Sequence, residues 1–236
     1  MISSFRQTAV NEAQVAAAFG CNGAFHCLSD ETLTQLARRG LLQTRPKQMW
    51  HFGDHSNGCS RYLKGGKWKR ADTKGPDWHK LAGLKDVVAN DRRFVALVLE
   101  GSKDALAAAE LLNRLGLLPA SGIVAALGAA YHPIDAEIEQ LSGRKVVLIG
   151  DSDPPGRECI KRVSSALCNH TVDHVVLFWP EPIKDVFDLV QTHVERNQDF
   201  GRLYRNFSFF FLSSHGSPVQ PLNGSTVQQF NTSTQE

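Results

Sequence analysis

Three carboxylates offer this sequence its most specific chemistry: Glu100, in the step Leu99-Glu100-Gly101, and the pair Asp151 and Asp153, in Gly150-Asp151-Ser152-Asp153. Each group follows a short apolar run, the position of a turn leaving a strand. Asp151 and Asp153 are two residues apart in such a turn, so both can face one ion. Three ionised carboxylates in one crevice repel strongly, and a divalent cation removes the conflict. Oxygen donors with no Cys or His beside them select Mg²⁺ or Mn²⁺ over Zn²⁺. An ion that keeps water positions open suits reactions at phosphate. Gly101 and Gly156 each follow an acid and open a helix, where a phosphate or a neighbouring backbone can come close. Lys103, Arg157, Lys161 and Lys184 supply positive charge for phosphate oxygens, and Asp185 and Asp188 add two more acids further on. The competing use of these acids is to cap the helices that follow, a common role for Asp.

These residues act together only if a parallel sheet brings them to one edge. Apolar runs at 94–99, 123–127, 145–149 and 172–179 alternate with helical stretches at 103–115, 133–141 and 155–168. The runs lack polar alternation, the pattern of strands buried on both faces. Strand and helix in turn predict parallel βαβ units. Such sheets bind ligands at the carboxyl ends of their strands. If the strands at 94–99 and 145–149 are neighbours, Glu100 meets Asp151 and Asp153 there. Upstream, Ser29-Asp30-Glu31-Thr32 predicts a helix start, with Leu33, Leu36, Ala37 and Leu41 at helical spacing and Gly40 near the end. Lys64-Gly65-Gly66-Lys67, flanked by Arg61-Tyr62-Leu63 and Trp68-Lys69-Arg70, predicts a β-hairpin. The fold class is α/β: a four-stranded parallel sheet flanked by helices, preceded by a small basic α+β subdomain. The expected division is a helical N-terminal segment at 1–42, a small basic, Trp-rich β subdomain at 43–90 and an α/β domain at 91–200. The tail at 201–236 is rich in Ser, Gly, Pro, Thr, Asn and Gln, and most of it is expected to be disordered.

Composition excludes other classes. Hydrophobic residues make up 42% of the 236, enough to fill a core, so a wholly disordered chain is excluded. No apolar run approaches the ~18 residues of a spanning helix, and residues 1–20 lack the features of a signal peptide. A cytoplasmic protein with no membrane partner is expected. Five irregularly spaced cysteines do not make a disulfide framework. Cys21, His26, Cys27, His51, His55 and Cys59 lack the spacing of paired zinc knuckles, so zinc is not expected. No Walker sequence occurs, so no P-loop motor is expected. The net charge of +2 hides an asymmetry: between Arg38 and Lys80 stand eleven Lys and Arg against three Asp, a local +8, and the rest carries −6. A basic face for a polyanion beside a part that uses carboxylates fits that split. Arg61, Lys64, Lys67, Lys69 and Arg70 can track phosphates, while Trp50, Tyr62, Trp68 and Trp78 can stack bases.

Three motifs in order resemble the Toprim domain, in the primase type found in bacteriophage, plasmid and other mobile-element primases and primase-helicases. They are Leu99-Glu100-Gly101-Ser102-Lys103-Asp104-Ala105-Leu106, then Ile149-Gly150-Asp151-Ser152-Asp153-Pro154-Pro155-Gly156-Arg157, then Lys184-Asp185-Val186-Phe187-Asp188. The resemblance covers about 91–190 and implies a Toprim-like sheet. It implies Glu100 as general acid/base or metal ligand, Asp151 and Asp153 as Mg²⁺ ligands, and Asp185 or Asp188 as an accessory ligand. Phe187 departs from the pattern, which usually has Asn there, and Pro154-Pro155 stiffens the turn after the paired acids. In such primases a basic subdomain precedes the sheet and helps hold template, the place of the Arg38–Lys80 block. Asp104 is read as supporting the first helical turn, and His132 as a loop residue.

The expected activity is Mg²⁺-dependent nucleotidyl transfer on single-stranded DNA: primer synthesis in phage or mobile-element replication. The expected partners are nucleoside triphosphates, single-stranded DNA and a replicative helicase. Two other readings remain open: a Toprim nuclease that hydrolyses phosphodiesters, and a non-catalytic nucleic-acid-binding fragment of a primase-helicase.

Overall fold

A computed structural model describes residues 27–45, 49–53, 58–64, 67–70, 80–99, 101–179, 182–195 and 227–229. Ser29 caps α1 (Asp30–Arg38), its Oγ accepting from the Thr32 amide at 3.3 Å. Asp30 and Glu31 sit in the first turn, where the helix dipole favours acids. Gly40, at φ +71°, turns the chain out of the helix, a conformation open to glycine at little cost. Four antiparallel strands follow, β1 (Leu42–Arg45), β2 (Met49–Gly53), β3 (Gly58–Lys64) and β4 (Lys67–Arg70), paired in sequence order. The Lys64–Lys67 pair closes the expected hairpin.

The remaining elements are α2 (Leu84–Ala89), β5 (Phe94–Val98), α3 (Ser102–Arg114), β6 (Ser121–Ala125), α4 (Asp135–Glu139), β7 (Lys145–Ile149), α5 (Pro154–Asn169), β8 (Asp173–Phe178) and α6 (Val186–Glu195). Their four strands form the parallel sheet expected from the apolar runs. A fifth short strand, β9 (Val227–Gln229), extends it in the order β6-β5-β7-β8-β9. These three residues come from the stretch expected to be disordered. They pair in parallel with Val176, Leu177 and Phe178.

Alternate residues of each strand enter two separate cores, which is why the runs are continuously apolar. Ala96, Val98, Ile123, Ala125, Val147 and Ile149 face α1, α3, α6 and the antiparallel sheet. Val95, Leu97, Val124, Val146 and Leu148 face the side covered by α2, α4 and α5. The helix at 84–89 has no counterpart in the sequence reading. Only Leu84, Asp86 and Val87 of its six residues are buried, too few to show a helical period. Leu81, Leu84 and Val87 share their core with β5 and β7, so the stretch before position 90 packs with the parallel sheet.

Polar contacts lock the N-terminal helix to the rest. Glu110 of α3, fully buried, accepts from the Ser29 amide at 2.8 Å, from the Ser29 hydroxyl at 2.9 Å and from Arg114 Nε at 2.6 Å. Arg39 pairs with buried Asp86 of α2 and donates to the Ser121 carbonyl at 2.9 Å. No described helix is long and apolar enough to cross a membrane.

Candidate functional site

β5 pairs with β7 in a register that sets Val98 opposite Ile149. The chain leaving β5 therefore runs beside the turn leaving β7, the adjacency on which the expected meeting of acids depends. Leu99 extends the ladder, its amide donating to the Ile149 carbonyl at 2.7 Å. Gly150 begins the turn because a Cβ there would lie 2.8 Å from Ile160 Cγ1. Trp179, leaving β8, donates from Nε1 to the Gly150 carbonyl at 3.0 Å. The Ser152 amide donates to the Lys184 carbonyl at 2.9 Å. These two bonds bind the turn after β7 to the segment after β8. They also bring the second and third motifs together.

Asp151 is buried in this turn. Asp153 caps α5: its Oδ1 accepts from the Gly156 amide at 3.0 Å, and its Oδ2 lies 3.6 Å from Lys184 Nζ. Asp151 Oδ2 lies 3.5 Å from the same ammonium. Asp185 repeats the arrangement at α6. Its Oδ1 accepts from the Asp188 amide at 2.7 Å, and its Oδ2 lies 4.0 Å from Lys103 Nζ. Lys103 also stands over the Phe187 ring, 3.9 Å from its centroid. Charge on Asp151 above all, then on Asp153 and Asp185, holds the Lys184 ammonium above the usual lysine range.

Asp104, read from the sequence as a helix-supporting acid, belongs to this cluster. Its residue surface is partly open, yet Oδ1 is sealed from solvent and has no hydrogen-bond partner. Burial raises its carboxyl to about 7; Asp185 and Asp151 add to the rise, and Lys103 and Arg61 oppose it. A Cβ on Gly101 would lie 3.6 Å from both Asp104 Oδ2 and Arg61 Nη2, so this glycine sits between the two groups. Arg61 reaches across from β3, donating from Nε to Ser102 Oγ at the start of α3 at 3.1 Å. It thus stands at the edge of the acidic cluster rather than out on a basic surface.

Other candidates stand apart. Glu100 lies outside the described residues. Asp188 lends its amide to Asp185, and no described contact brings its carboxylate to Asp151 or Asp153. The Gly156 amide is engaged by Asp153. Arg157 is exposed and donates from Nε to the Ser152 carbonyl at 2.7 Å, while Lys161 pairs with Glu158 on the exposed side of α5. His132 is exposed. Cys27 and Cys59 are buried free thiols, and burial pushes Cys27 up to about 11. Cys21, His26, His55 and Trp78 lie outside the described residues.

The basic strands carry a second correction. Trp50 is 1% exposed and packs with Phe52 and Cys59 in the core, so it has no face to offer a base. The sequence gives no sign of which tryptophan points inward. Cross-strand register does, because Trp50 pairs with Arg61 of β3, whose side chain reaches inward to the start of α3. Lys69, opposite Tyr62 in the register, is exposed. Arg61 opposes Arg70, and Lys64 opposes Lys67. Trp68 opposes Leu63 on β3.

The donor chemistry fits a hard divalent ion. Asp104 presents a sealed, unpartnered carboxylate oxygen, and an ammonium already stands between Asp151 and Asp153 where positive charge is called for. Among the described residues, no three His, Cys, Asp or Glu side chains are grouped closely enough to hold a metal by themselves.

Residues 97–190 match the family described as Toprim-like, so the parallel-sheet part of the chain carries a Toprim-like domain. The match covers less than half of the 236 residues. No curated protein matches the chain. Solved structures similar to it include the Aquifex aeolicus primase, in its zinc-binding and RNA polymerase domains, at 18% identity and a TM-score of 0.43, covering 76% of this chain and 49% of that one. A DNA primase domain from Pseudomonas aeruginosa gives 20% identity and a TM-score of 0.43, covering 76% of this chain and 63% of that one. The primase fragment of the bacteriophage T7 primase-helicase protein gives 17% identity and a TM-score of 0.40, covering 72% and 67%. The chain thus spans about half of the first of these and under two thirds of the second.

Proposed function

We propose that this site transfers nucleotidyl groups with the help of a divalent cation, and that the chain synthesises primers on single-stranded DNA in phage or mobile-element replication. One observation carries the reading. Acids from separate turns, Asp151 with Asp153 and Asp185, converge at the carboxyl edge of the sheet beside the sealed Asp104 carboxylate. Asp151 and Asp153 are the described residues that would hold Mg²⁺ or Mn²⁺, with Glu100 as a further ligand or general acid/base and Asp185 or Asp188 as an accessory. When bound, the ion supplies charge neutralisation at phosphate and a lowered pKa for an attacking hydroxyl.

The chain's own residues supply the rest. Lys103, Lys184, Arg157 and Arg61 offer cations to the phosphates of the incoming nucleotide. Gly101 leaves room for a phosphate to approach the backbone at the start of α3, with Gly156 in the first turn of α5. Trp179 and the Ser152–Lys184 bond fix the acidic turn, so catalysis rests on positioning and charge. Lys64, Lys67, Trp68, Lys69 and Arg70 of the antiparallel sheet provide the template surface, with a replicative helicase as partner of the whole protein.

The test is a radiolabelled-nucleotide primer assay on single-stranded DNA with Mg²⁺. The wild-type chain is expected to extend, and Asp151→Asn with Asp153→Asn to lose product. Equal product from both proteins would refute the site. Cutting of a labelled strand without added nucleotides would replace synthesis by hydrolysis.

A further inference from the structure

The Lys184 ammonium stands between two carboxylates that the proposed function gives to a metal ion. It is 3.5 Å from Asp151 Oδ2 and 3.6 Å from Asp153 Oδ2. Its backbone is tied to the acidic turn, since the Lys184 carbonyl accepts from the Ser152 amide at 2.9 Å. The side chain itself is 54% exposed, so its head can move into water without disturbing packing. Lys103 differs: its ammonium is held by both Asp185 and the Phe187 ring. Of the two lysines at the cluster, Lys184 is the one free to leave.

The charges do not balance with the lysine alone. One ammonium against two carboxylates leaves a single negative charge, whereas a divalent ion in the ammonium's place cancels both. Such an ion takes oxygen ligands at roughly 2.0–2.1 Å in the case of Mg²⁺. It would therefore occupy the Oδ2 atoms that now face the ammonium, and the two cations repel at that distance. The tether through Ser152 keeps the displaced lysine close by, within reach of phosphate oxygens arriving with the metal.

We propose that Lys184 is a displaceable counter-ion of the acidic pair: it holds Asp151 and Asp153 when no metal is present, yields them to a divalent ion, and then turns to the polyphosphate. This rests on the metal-site reading above and adds to it a sign. Removing Lys184 strengthens metal binding and weakens polyphosphate binding, whereas an ordinary ligand-side residue weakens both.

The experiment is titration calorimetry on the full chain. Mn²⁺ is titrated first, then inorganic tripolyphosphate at saturating Mn²⁺. Lys184→Gln is expected to bind Mn²⁺ about three- to ten-fold more tightly and tripolyphosphate weaker by a similar factor. Lys184→Arg, which keeps the counter-charge, is expected to stay near wild type for Mn²⁺. Lys145→Gln, at the opposite end of β7 and paired with Asp173, controls for net charge and is expected to change neither. Mn²⁺ affinity that is unchanged or weaker in Lys184→Gln overturns the proposal, as does Lys145→Gln matching Lys184→Gln. A wild-type chain that binds no Mn²⁺ and is indifferent to Asp153→Asn overturns the metal-site reading itself, and the lysine's role falls with it. Melting temperatures near wild type in all variants show that folding is intact.

Discussion

Replacing Asp104 by Asn should stabilise the metal-free protein at high pH and leave it unchanged at low pH. The carboxyl ionises near 3.8 in an exposed setting and near about 7 in the fold, chiefly because burial disfavours its charge. The native state keeps the proton while the unfolded chain releases it. Stability from this group is therefore complete below about pH 4, falls as pH rises to about 7, and stays lost above that. Each pH unit of that interval is worth about 1.4 kcal/mol, which puts a ceiling of about 4 kcal/mol on the loss. The residue surface is partly open to water, and screening there halves the figure to about 2 kcal/mol.

Asn has the same shape and no charge, so Asp104→Asn recovers that amount at pH 8. For a chain of this size about 2 kcal/mol is worth a melting shift of ~4–8 °C. Thermal unfolding followed by circular dichroism in EDTA, at pH 4, 6 and 8, reads it directly. The variant should match wild type at pH 4 and melt higher at pH 8. Saturating Mg²⁺ should raise the wild-type midpoint more than the variant's, because the ion relieves the same buried charge. A difference of equal size at pH 4 and pH 8, or a variant less stable at pH 8, would refute the placement of Asp104 among the acids.

Asp153→Asn keeps the oxygen that caps α5, so its melting point should stay near wild type while Mn²⁺ affinity falls more than about ten-fold. Asp153→Ala should lose, in addition, about 1 kcal/mol of cap; equal melting points for the two would remove the capping role. Glu110→Ala strips the buried acceptor from Ser29 and Arg114 and should cost about 2–4 kcal/mol in urea unfolding, with a cost under about 0.5 kcal/mol contradicting the docking of α1. Gly83→Ala places a Cβ 2.3 Å from the Ile123 carbonyl at φ +88°. It should destabilise far more than Gly116→Ala, where the added carbon meets nothing and the left-handed backbone alone costs about 1 kcal/mol; similar losses would deny the close approach. Affinity for single-stranded DNA should fall steeply with salt, and a flat profile would take the basic strands out of the binding surface.

The apolar runs made the parallel sheet legible because each strand is buried on both faces and shows no alternation. Asp151, Asp153 and Asp185 were legible because they follow strands in fixed motifs. Asp104 was not: four residues past Glu100 it looks like any acid in a first helical turn, and only the packing seals its oxygen. Trp179 was missed for a related reason. Its bond to the Gly150 carbonyl joins segments 29 residues apart and leaves no local pattern. Trp50 was misread as a stacking surface because interleaved cations and aromatics look alike on either face until register assigns them.

Capping and chemistry, set against each other for these acids, are joined in single side chains. Asp153 gives Oδ1 to the Gly156 amide and turns Oδ2 to Lys184; Asp185 gives Oδ1 to the Asp188 amide and turns Oδ2 to Lys103. An N-cap demands a short side chain whose oxygen reaches back to the N3 amide, which fixes χ1 and with it the direction of the second oxygen. The helix start therefore aims the acid, and aiming it this way needs no additional residue. A Glu at either place has one methylene too many to hold both bonds at once. It would keep the cap and lose the site, or reach the site and free the first turn of the helix.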